Sequence, residues 1–369
     1  MLKYKTSEWV SLGHPDKVAD YISEYILDRL IEQDPETRYA LEVQIKGSHV
    51  SLAGEITTKA YASIDAFKRW TREAIQEIGY TKAYQEKFGA ENTICNEYVN
   101  VTSNISRQSP DIAQGVNASG WGDQGIFFGF YCDESDEGHG YDYYLAKIIG
   151  QALYNKALTS DTLGLDIKTQ VTVFDNVATR NIEEIIVAIP MVAGKEKEGK
   201  KEVKGVIKEI LKDERIPTII NGTGTYCQHG PIADSGTTGR KLVVDFYGGN
   251  SRIGGGSPWT KDGTKADLTL NLYANEKARE NFLQSQEMGI QIQRVETEIS
   301  CVIGKAQILI VTNGYDDDGV IVYSDAVIKT IQPKTLIKKY GLNKPIYAQL
   351  CRDGLFSIFK TKTKGKTNA

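Results

Sequence analysis

Four clusters in this 369-residue chain combine residue types suited to a multiply charged phosphate. The first is Gly13-His14-Pro15-Asp16-Lys17, which opens an amphipathic run. Val18, Ile22, Ile26 and Leu30 recur there at four-residue spacing, and Ala19, Leu27 and Ile31 widen the apolar stripe. Pro15 suits a first helical position, because the N–H it lacks has no intrahelical partner there. A helix start also offers free N–H groups and partial positive charge to an anion. In that setting His14 is a proton-capable donor, Asp16 a hard oxygen ligand for Mg²⁺ and Lys17 a fixed cation. On spacing alone, an ordinary capped helix with a polar first turn accounts for the same residues.

The other clusters are Asp166-Ile167-Lys168, the turn Asp234-Ser235-Gly236-Thr237-Thr238-Gly239-Arg240-Lys241, and Lys261-Asp262-Gly263-Thr264-Lys265-Ala266-Asp267. Lysine and arginine beside glycine-rich loops suit a phosphate chain, arginine as a bidentate donor and lysine as a point charge. Aspartates beside them suit Mg²⁺, which takes few carboxylates and completes its shell with phosphate oxygens. Taken singly, each is also what a surface ion pair or a plain turn looks like.

The elements that must carry these clusters follow from pattern. Strands are expected at 39–45 and 50–57 around a 46–49 turn. Glu42 and Glu55 then point away from the aliphatic faces, where solvent exposure alone would explain them. Helices are expected at 64–78 (ending at Gly79), 143–158, 203–212, 267–283 and 324–330, and strands at 170–174, 185–192, 242–247, 298–303 and 307–312. Strand pairs alternating with helices three times predict an α+β protein of three similar layered units. Boundaries near 108–115 and 221–228 give domains 1–108, 109–226 and 227–369. The irregular stretch 89–125 is long for a compact enzyme, which marks it as functional or disordered.

Composition narrows the classes. With 40% apolar and 25% charged residues the chain reads as soluble and globular, and no apolar run approaches membrane-spanning length. The first residues show no hydrophobic signal region, so a cytoplasmic location is expected. A net charge of −4 argues against nucleic acid as a partner. Lysines from Lys360 onward lack accompanying aromatics and read as a frayed tail. Five scattered cysteines form neither a disulfide framework nor a zinc site. Walker A, Rossmann, G-x-S-x-G and H-E-x-x-H patterns are all missing, so phosphate would be handled by a less common architecture.

Taken in order, these clusters resemble S-adenosylmethionine synthetase (methionine adenosyltransferase). The resemblance rests on Ser7-Glu8 with Gly13–Lys17, Gly54-Glu55-Ile56-Thr57-Thr58, Gln108-Ser109-Pro110-Asp111-Ile112 and Gly122-Asp123-Gln124-Gly125. Asp234 with Gly239-Arg240-Lys241, Asp245 with Tyr247-Gly248-Gly249, and Gly254-Gly255-Gly256 with Lys261-Asp262 and Lys265 complete it. It implies attack of the methionine sulfur on C5′ of ATP, then hydrolysis of the released tripolyphosphate. It implies a catalytic set of His14, Lys168, Arg240, Lys241, Lys261 and Lys265. ATP contacts would come from Asp166, Lys168, Thr225, Tyr226, Arg240, Lys241, Ser257 and Lys261, and methionine contacts from Glu55, Gln108, Asp123, Asp234 and Lys265. Asp16 and Asp267 would ligate two Mg²⁺ ions and Glu42 a K⁺. The resemblance further implies a homodimer with the site between subunits, tetramers being compatible, a gate at 103–120, and an approximate threefold axis relating the domains.

The chain also departs from the family pattern. The usual G-G-G-A-F-S-G-K-D reads Gly254-Gly255-Gly256-Ser257-Pro258-Trp259-Thr260-Lys261-Asp262, with Pro258 expected to stiffen the loop and Trp259 to fill space. Trp121 stands where a small residue is usual, and the gate is shorter. A Mg²⁺-dependent tripolyphosphatase and a non-catalytic regulatory subunit are the competing readings.

Overall fold

The computed structural model describes residues 3–107, 120–176, 179–213 and 215–362. Among them are three four-stranded sheets, each covered on its inner face by one long helix. The first sheet, in the order β4-β3-β2-β9, joins β2 (Arg38–Lys46), β3 (His49–Thr57), β4 (Asn100–Ser106) and the short β9 (Gly236–Thr237). Helix α1 (Pro15–Ile31) packs on it. The second, β1-β6-β7-β8, joins β1 (Lys3–Val10), β6 (Lys168–Asn176), β7 (Thr179–Ala188) and β8 (Thr218–Ile220). Helix α4 (Tyr141–Ala157) lies on β1 and β6. The third, β12-β11-β10-β5, joins β5 (Gly125–Cys132), β10 (Arg294–Cys301), β11 (Gln307–Tyr315) and β12 (Ile321–Thr330) under helix α7 (Ala266–Glu287). All three sheets unite distant stretches of chain: β1 pairs antiparallel with β6, β5 with β10, and β2 with β9.

The other helices are α2 (Ile64–Ile78), α3 (Lys82–Phe88), α5 (Glu196–Leu211), the single turn α6 (Leu242–Asp245), α8 (Pro333–Tyr340) and α9 (Tyr347–Asp353). α2 starts on the Ser63 hydroxyl, which accepts from the Ala66 N–H (3.2 Å), and stops at Gly79 with φ 109°, as its pattern predicts.

The stretch 89–125, expected to be irregular, holds β4, which pairs parallel with β3, and two further assignments need correction. Residues 324–330 form β12 instead of a helix; its residues are mostly exposed on both faces, so no alternation betrays a strand. Residues 242–247 hold the helical turn α6 instead of a strand, although Val243-Val244 favour one. There the Asp245 N–H bonds back to the Lys241 carbonyl (2.9 Å), and Gly248 (φ 62°) ends the turn.

Helix α1 lies at the centre, with every residue buried except Arg29. The predicted stripe of Val18, Ile22, Ile26 and Leu30 is fully enclosed. A second stripe was not anticipated: Asp16, Asp20, Glu24 and Asp28, one per turn, are buried as well. Each accepts backbone N–H groups from a segment crossing the helix. Asp16 takes Thr237 (2.9 Å), Asp20 takes Gly239 (2.9 Å), Glu24 takes Thr260 (2.6 Å), and Asp28 takes Tyr347 and Ala348 (both 2.9 Å). Buried carboxylates need such donors to offset lost hydration. The signal was legible as acids at four-residue spacing inside an apolar helix.

Candidate active site

His14 is the N-cap of α1, in extended conformation, and its Nδ1 accepts the Asp16 N–H (3.2 Å). With Nδ1 acting as acceptor, the proton of the neutral imidazole sits on Nε2, which makes that edge a donor. Burial, reinforced by the Lys241 and Lys168 charges, pushes the His14 pKa down to about 4, against the opposing pull of Asp16 and Asp234. The ring is therefore neutral at ordinary pH. Gly13 permits its placement, because a Cβ there would lie 2.2 Å from the Leu165 carbonyl oxygen.

Asp16 joins α1 to the 236–241 turn. Its Oδ2 meets Lys241 Nζ at 2.7 Å, and its Oδ1 lies 3.5 Å from Arg240 Nε besides holding the Thr237 N–H. Burial raises its pKa, but the Lys241 hydrogen bond and charge together with the Thr237 N–H outweigh this and leave it below the usual carboxylate range. The turn comes close because residue 236 is glycine; a Cβ there would sit 2.0 Å from the Pro15 carbonyl oxygen.

On the adjoining wall, Lys168 at the start of β6 pairs with Glu8 of β1 (2.5 Å). Buried Asp166 accepts the Tyr226 hydroxyl and the Gly230 N–H, each at 2.8 Å. Burial lifts the Asp166 pKa to about 6 against both of those bonds. Asp234 is exposed and Thr225 lies exposed beside Tyr226. Beneath them buried His229 touches Tyr84 (Nε2 to hydroxyl, 2.6 Å) and the Cys227 carbonyl (Nδ1, 2.6 Å), while Tyr84 also accepts the Leu165 N–H. The sequence reading gave His229 no part in this support.

A second group gathers at the start of α7. Lys265 is the N-cap, and Asp267 in the first turn pairs with Lys261 (2.5 Å). Ala40 of β2 bridges Lys261 on one side and pairs with Glu55 of β3 on the other. Asp123 is exposed, and its carbonyl accepts the Cys301 thiol at the end of β10 (3.3 Å). Ser257 accepts the Trp259 N–H (3.1 Å) and lies against Gly239. Trp259 is enclosed, as expected of a space-filling residue. Gln108, and residues 108–119 of the expected gate, lie outside the described residues.

Strand β2 spans the two groups. Gln44 pairs with Thr237 in the first and Ala40 bridges Lys261 in the second, so four strand residues, about 13 Å, lie between Thr237 and Lys261 within one chain. Between these points Glu42 accepts the hydroxyls of Thr238 and Thr260. One expectation fails here. Lys17 does not face the phosphate seat; it is buried, paired with Asp20 (3.0 Å) and Asp245 (2.7 Å), over the Trp259 ring. The acidic side of α1 draws its charge inward.

Among the described residues no three His, Cys, Asp or Glu side chains converge as a metal cage. The separate carboxylates of Asp16 and Asp267, each beside a lysine, fit a hard cation that shares its shell with phosphate oxygens and water. A cavity of about 1000 Å³ lined by Trp9, Tyr154, Tyr340 and Arg352 contains none of the predicted site residues.

Family models for the S-adenosylmethionine synthetase N-terminal, central and C-terminal domains match residues 3–110, 118–226 and 228–364. The chain belongs to the S-adenosylmethionine synthetase family. It is an enzyme of S-adenosylmethionine synthesis, a methionine adenosyltransferase. It is 36% identical to the S-adenosylmethionine synthase of Clostridium tetani, covering 96% of this chain and 94% of that protein. Identity to the Desulfosudis oleivorans synthase is also 36%, covering 95% and 92%. A solved structure described as an unusual S-adenosylmethionine synthetase from Campylobacter jejuni superposes with a TM-score of 0.84 at 30% identity, over 95% of this chain and 94% of that one. No helix of the described residues is long and apolar enough to cross a membrane.

Proposed function

We propose that this chain makes S-adenosylmethionine from ATP and L-methionine by direct displacement at C5′, followed by hydrolysis of the tripolyphosphate. The observation that carries this is a neutral histidine donor at a helix start, flanked by Lys241 and Lys168 and backed by a lysine-paired aspartate. In the displacement the S–C5′ bond forms and the C5′–O5′ bond breaks. The electron pair leaves with the triphosphate, and no proton moves because a thioether becomes a sulfonium. The protein therefore supplies no nucleophile; it positions the reactants and stabilises the leaving anion.

His14 donates from Nε2 to the oxygen at the breaking bond. Lys168, Arg240, Lys241, Lys261 and Lys265 hold the triphosphate. Asp166, Thr225, Tyr226 and Ser257 frame the nucleoside. Glu55, Gln108, Asp123 and Asp234 place methionine. Asp16 and Asp267 hold Mg²⁺, which would neutralise phosphate charge, and Glu42 with the Thr238 and Thr260 hydroxyls offers oxygen donors to K⁺. Purified protein given ATP, Mg²⁺ and K⁺ should form the sulfonium product only when methionine is present. Methionine-independent phosphate release without that product would instead identify a tripolyphosphatase.

The site is completed by a second copy: the α1 group of one subunit faces the α7 group of its partner in a cytoplasmic homodimer. The separation of the two groups along β2 supports this, and the three helix-covered sheets suit an approximate threefold arrangement of domains 1–108, 109–226 and 227–369. Mixing refolded His14→Asn and Lys265→Met subunits tests the shared site. Random pairing makes half the dimers mixed, each with one intact site, so about a quarter of wild-type activity should return. No recovery would place each site within one subunit.

A further inference from the structure

Thr260 stands immediately before Lys261, and its backbone is left-handed (φ 71°). A β-branched residue is strained in that conformation, whereas glycine adopts it readily. What over-determines it is visible. The Thr260 N–H donates to Glu24 Oε1 (2.6 Å), its carbonyl accepts the Leu41 N–H (3.1 Å), and its hydroxyl donates to Glu42 Oε1 (3.2 Å). Thr260 is 1% exposed, and Glu24, in the middle of α1, is fully enclosed. The segment then runs on in register. Lys261 bridges Ala40, the Asp262 N–H meets the Tyr39 carbonyl (3.3 Å), and Asp262 Oδ2 takes the Tyr39 N–H (2.8 Å). The aim of Lys261 toward Asp267 is thus fixed by the backbone on either side of it.

We propose that Glu24 is a positioning residue for the reaction: its bond to the Thr260 N–H latches a strained backbone turn that aims Lys261 into the phosphate site. The proposal rests on the synthetase reading for its activity readout and on hydrogen exchange for a readout free of it. The latch uses an accepting oxygen, not a charge. Glu24→Gln keeps such an oxygen, Glu24→Met removes it, and glycine at 260 holds the same turn unaided.

The experiment compares Glu24→Gln, Glu24→Met, Thr260→Gly and the double variant Glu24→Met with Thr260→Gly. For each, kcat and KM for ATP are measured, together with amide exchange over residues 258–263 by mass spectrometry. Glu24→Gln should keep wild-type values. Glu24→Met should lower kcat by about 10-fold with a larger change than in KM, and speed exchange in that segment about 10-fold. Thr260→Gly in the Glu24→Met background should recover most of kcat relative to Thr260→Gly alone. The proposal is overturned if folded Glu24→Met turns over normally, if Glu24→Gln loses activity, or if glycine at 260 brings no recovery. Should Glu24→Met not fold, the behaviour of Glu24→Gln and of the double variant decides alone. A wild-type chain unable to make the sulfonium product would defeat the synthetase reading, while the exchange comparison still tests the latch.

Discussion

The starts of α1 and α7 are built alike and finished differently. Each opens on a basic or proton-capable N-cap, His14 or Lys265, and each carries an aspartate as its second residue, Asp16 or Asp267. Each aspartate pairs with a lysine from a glycine-rich turn, Lys241 or Lys261. The surroundings then diverge. The Asp16 side chain is 2% exposed and held by Lys241, Arg240 and the Thr237 N–H, whereas that of Asp267 is 30% exposed and held by Lys261. One helix start arrives complete, and the other presents an open face with its cations already aimed. That difference is what a site assembled from two facing halves requires, since at least one half must leave room for the other and for the substrate.

The strongest way to break the comparison is to remove each N-cap. His14→Asn and Lys265→Met should each lower kcat by at least about 10²-fold while leaving the thermal midpoint near that of wild type. Turnover that survives either change would show that the corresponding helix start does not face the reacting phosphates.

A smaller effect separates the two aspartates. Asp16→Asn keeps an acceptor for the Thr237 N–H but leaves Lys241 without its anion, and should cost about 2 kcal/mol of folding stability. Arg240 adds little to that figure because it is half exposed. Asp267→Asn, in a more solvated pair, should cost under about 1 kcal/mol. Both should raise the Mg²⁺ concentration needed for half-maximal activity. Equal thermal shifts in the two variants would mean that their different burial has no energetic consequence.

Much of the first half of this arrangement was legible in the chain. Proline after His14, apolar residues at four-residue spacing and glycine-rich turns with paired cations located α1 and both groups of cations from local chemistry. Lys17 misled because its neighbours along the chain carry the phosphate-type motif, while of its two partners, Asp20 and Asp245, the second is 228 positions away. The acidic stripe of α1 went unread because acids on a helix ordinarily mark the solvated face; only the loops that cross it explain them. His229 likewise shows its value only after folding brings Tyr84 and Leu165 to it. β12 was hidden because a strand with both faces open carries no periodic burial.

The finest test uses protons. Burial holds His14 and His229 both at a pKa of about 4, so each stays neutral in the folded chain where an unfolded histidine would begin to charge near 6.5. Between those values the unfolded chain binds more protons, so the two rings weaken stability as pH falls from about 6.5 toward 4 and leave it unaffected above that window. Nitrogen-detected NMR of the free protein should show both imidazoles titrating near 4. Added tripolyphosphate should then part them. An anion at the α1 start favours the charged form of His14 and raises its pKa, by about one unit for each 1.4 kcal/mol of added attraction. His229, closed between Tyr84 and the Cys227 carbonyl, should not move. The α7 start carries no imidazole, its N-cap being Lys265. Any pH dependence of anion binding lost in His14→Asn therefore reports the α1 half alone, and equal movement of both histidines would remove His14 from the phosphate wall.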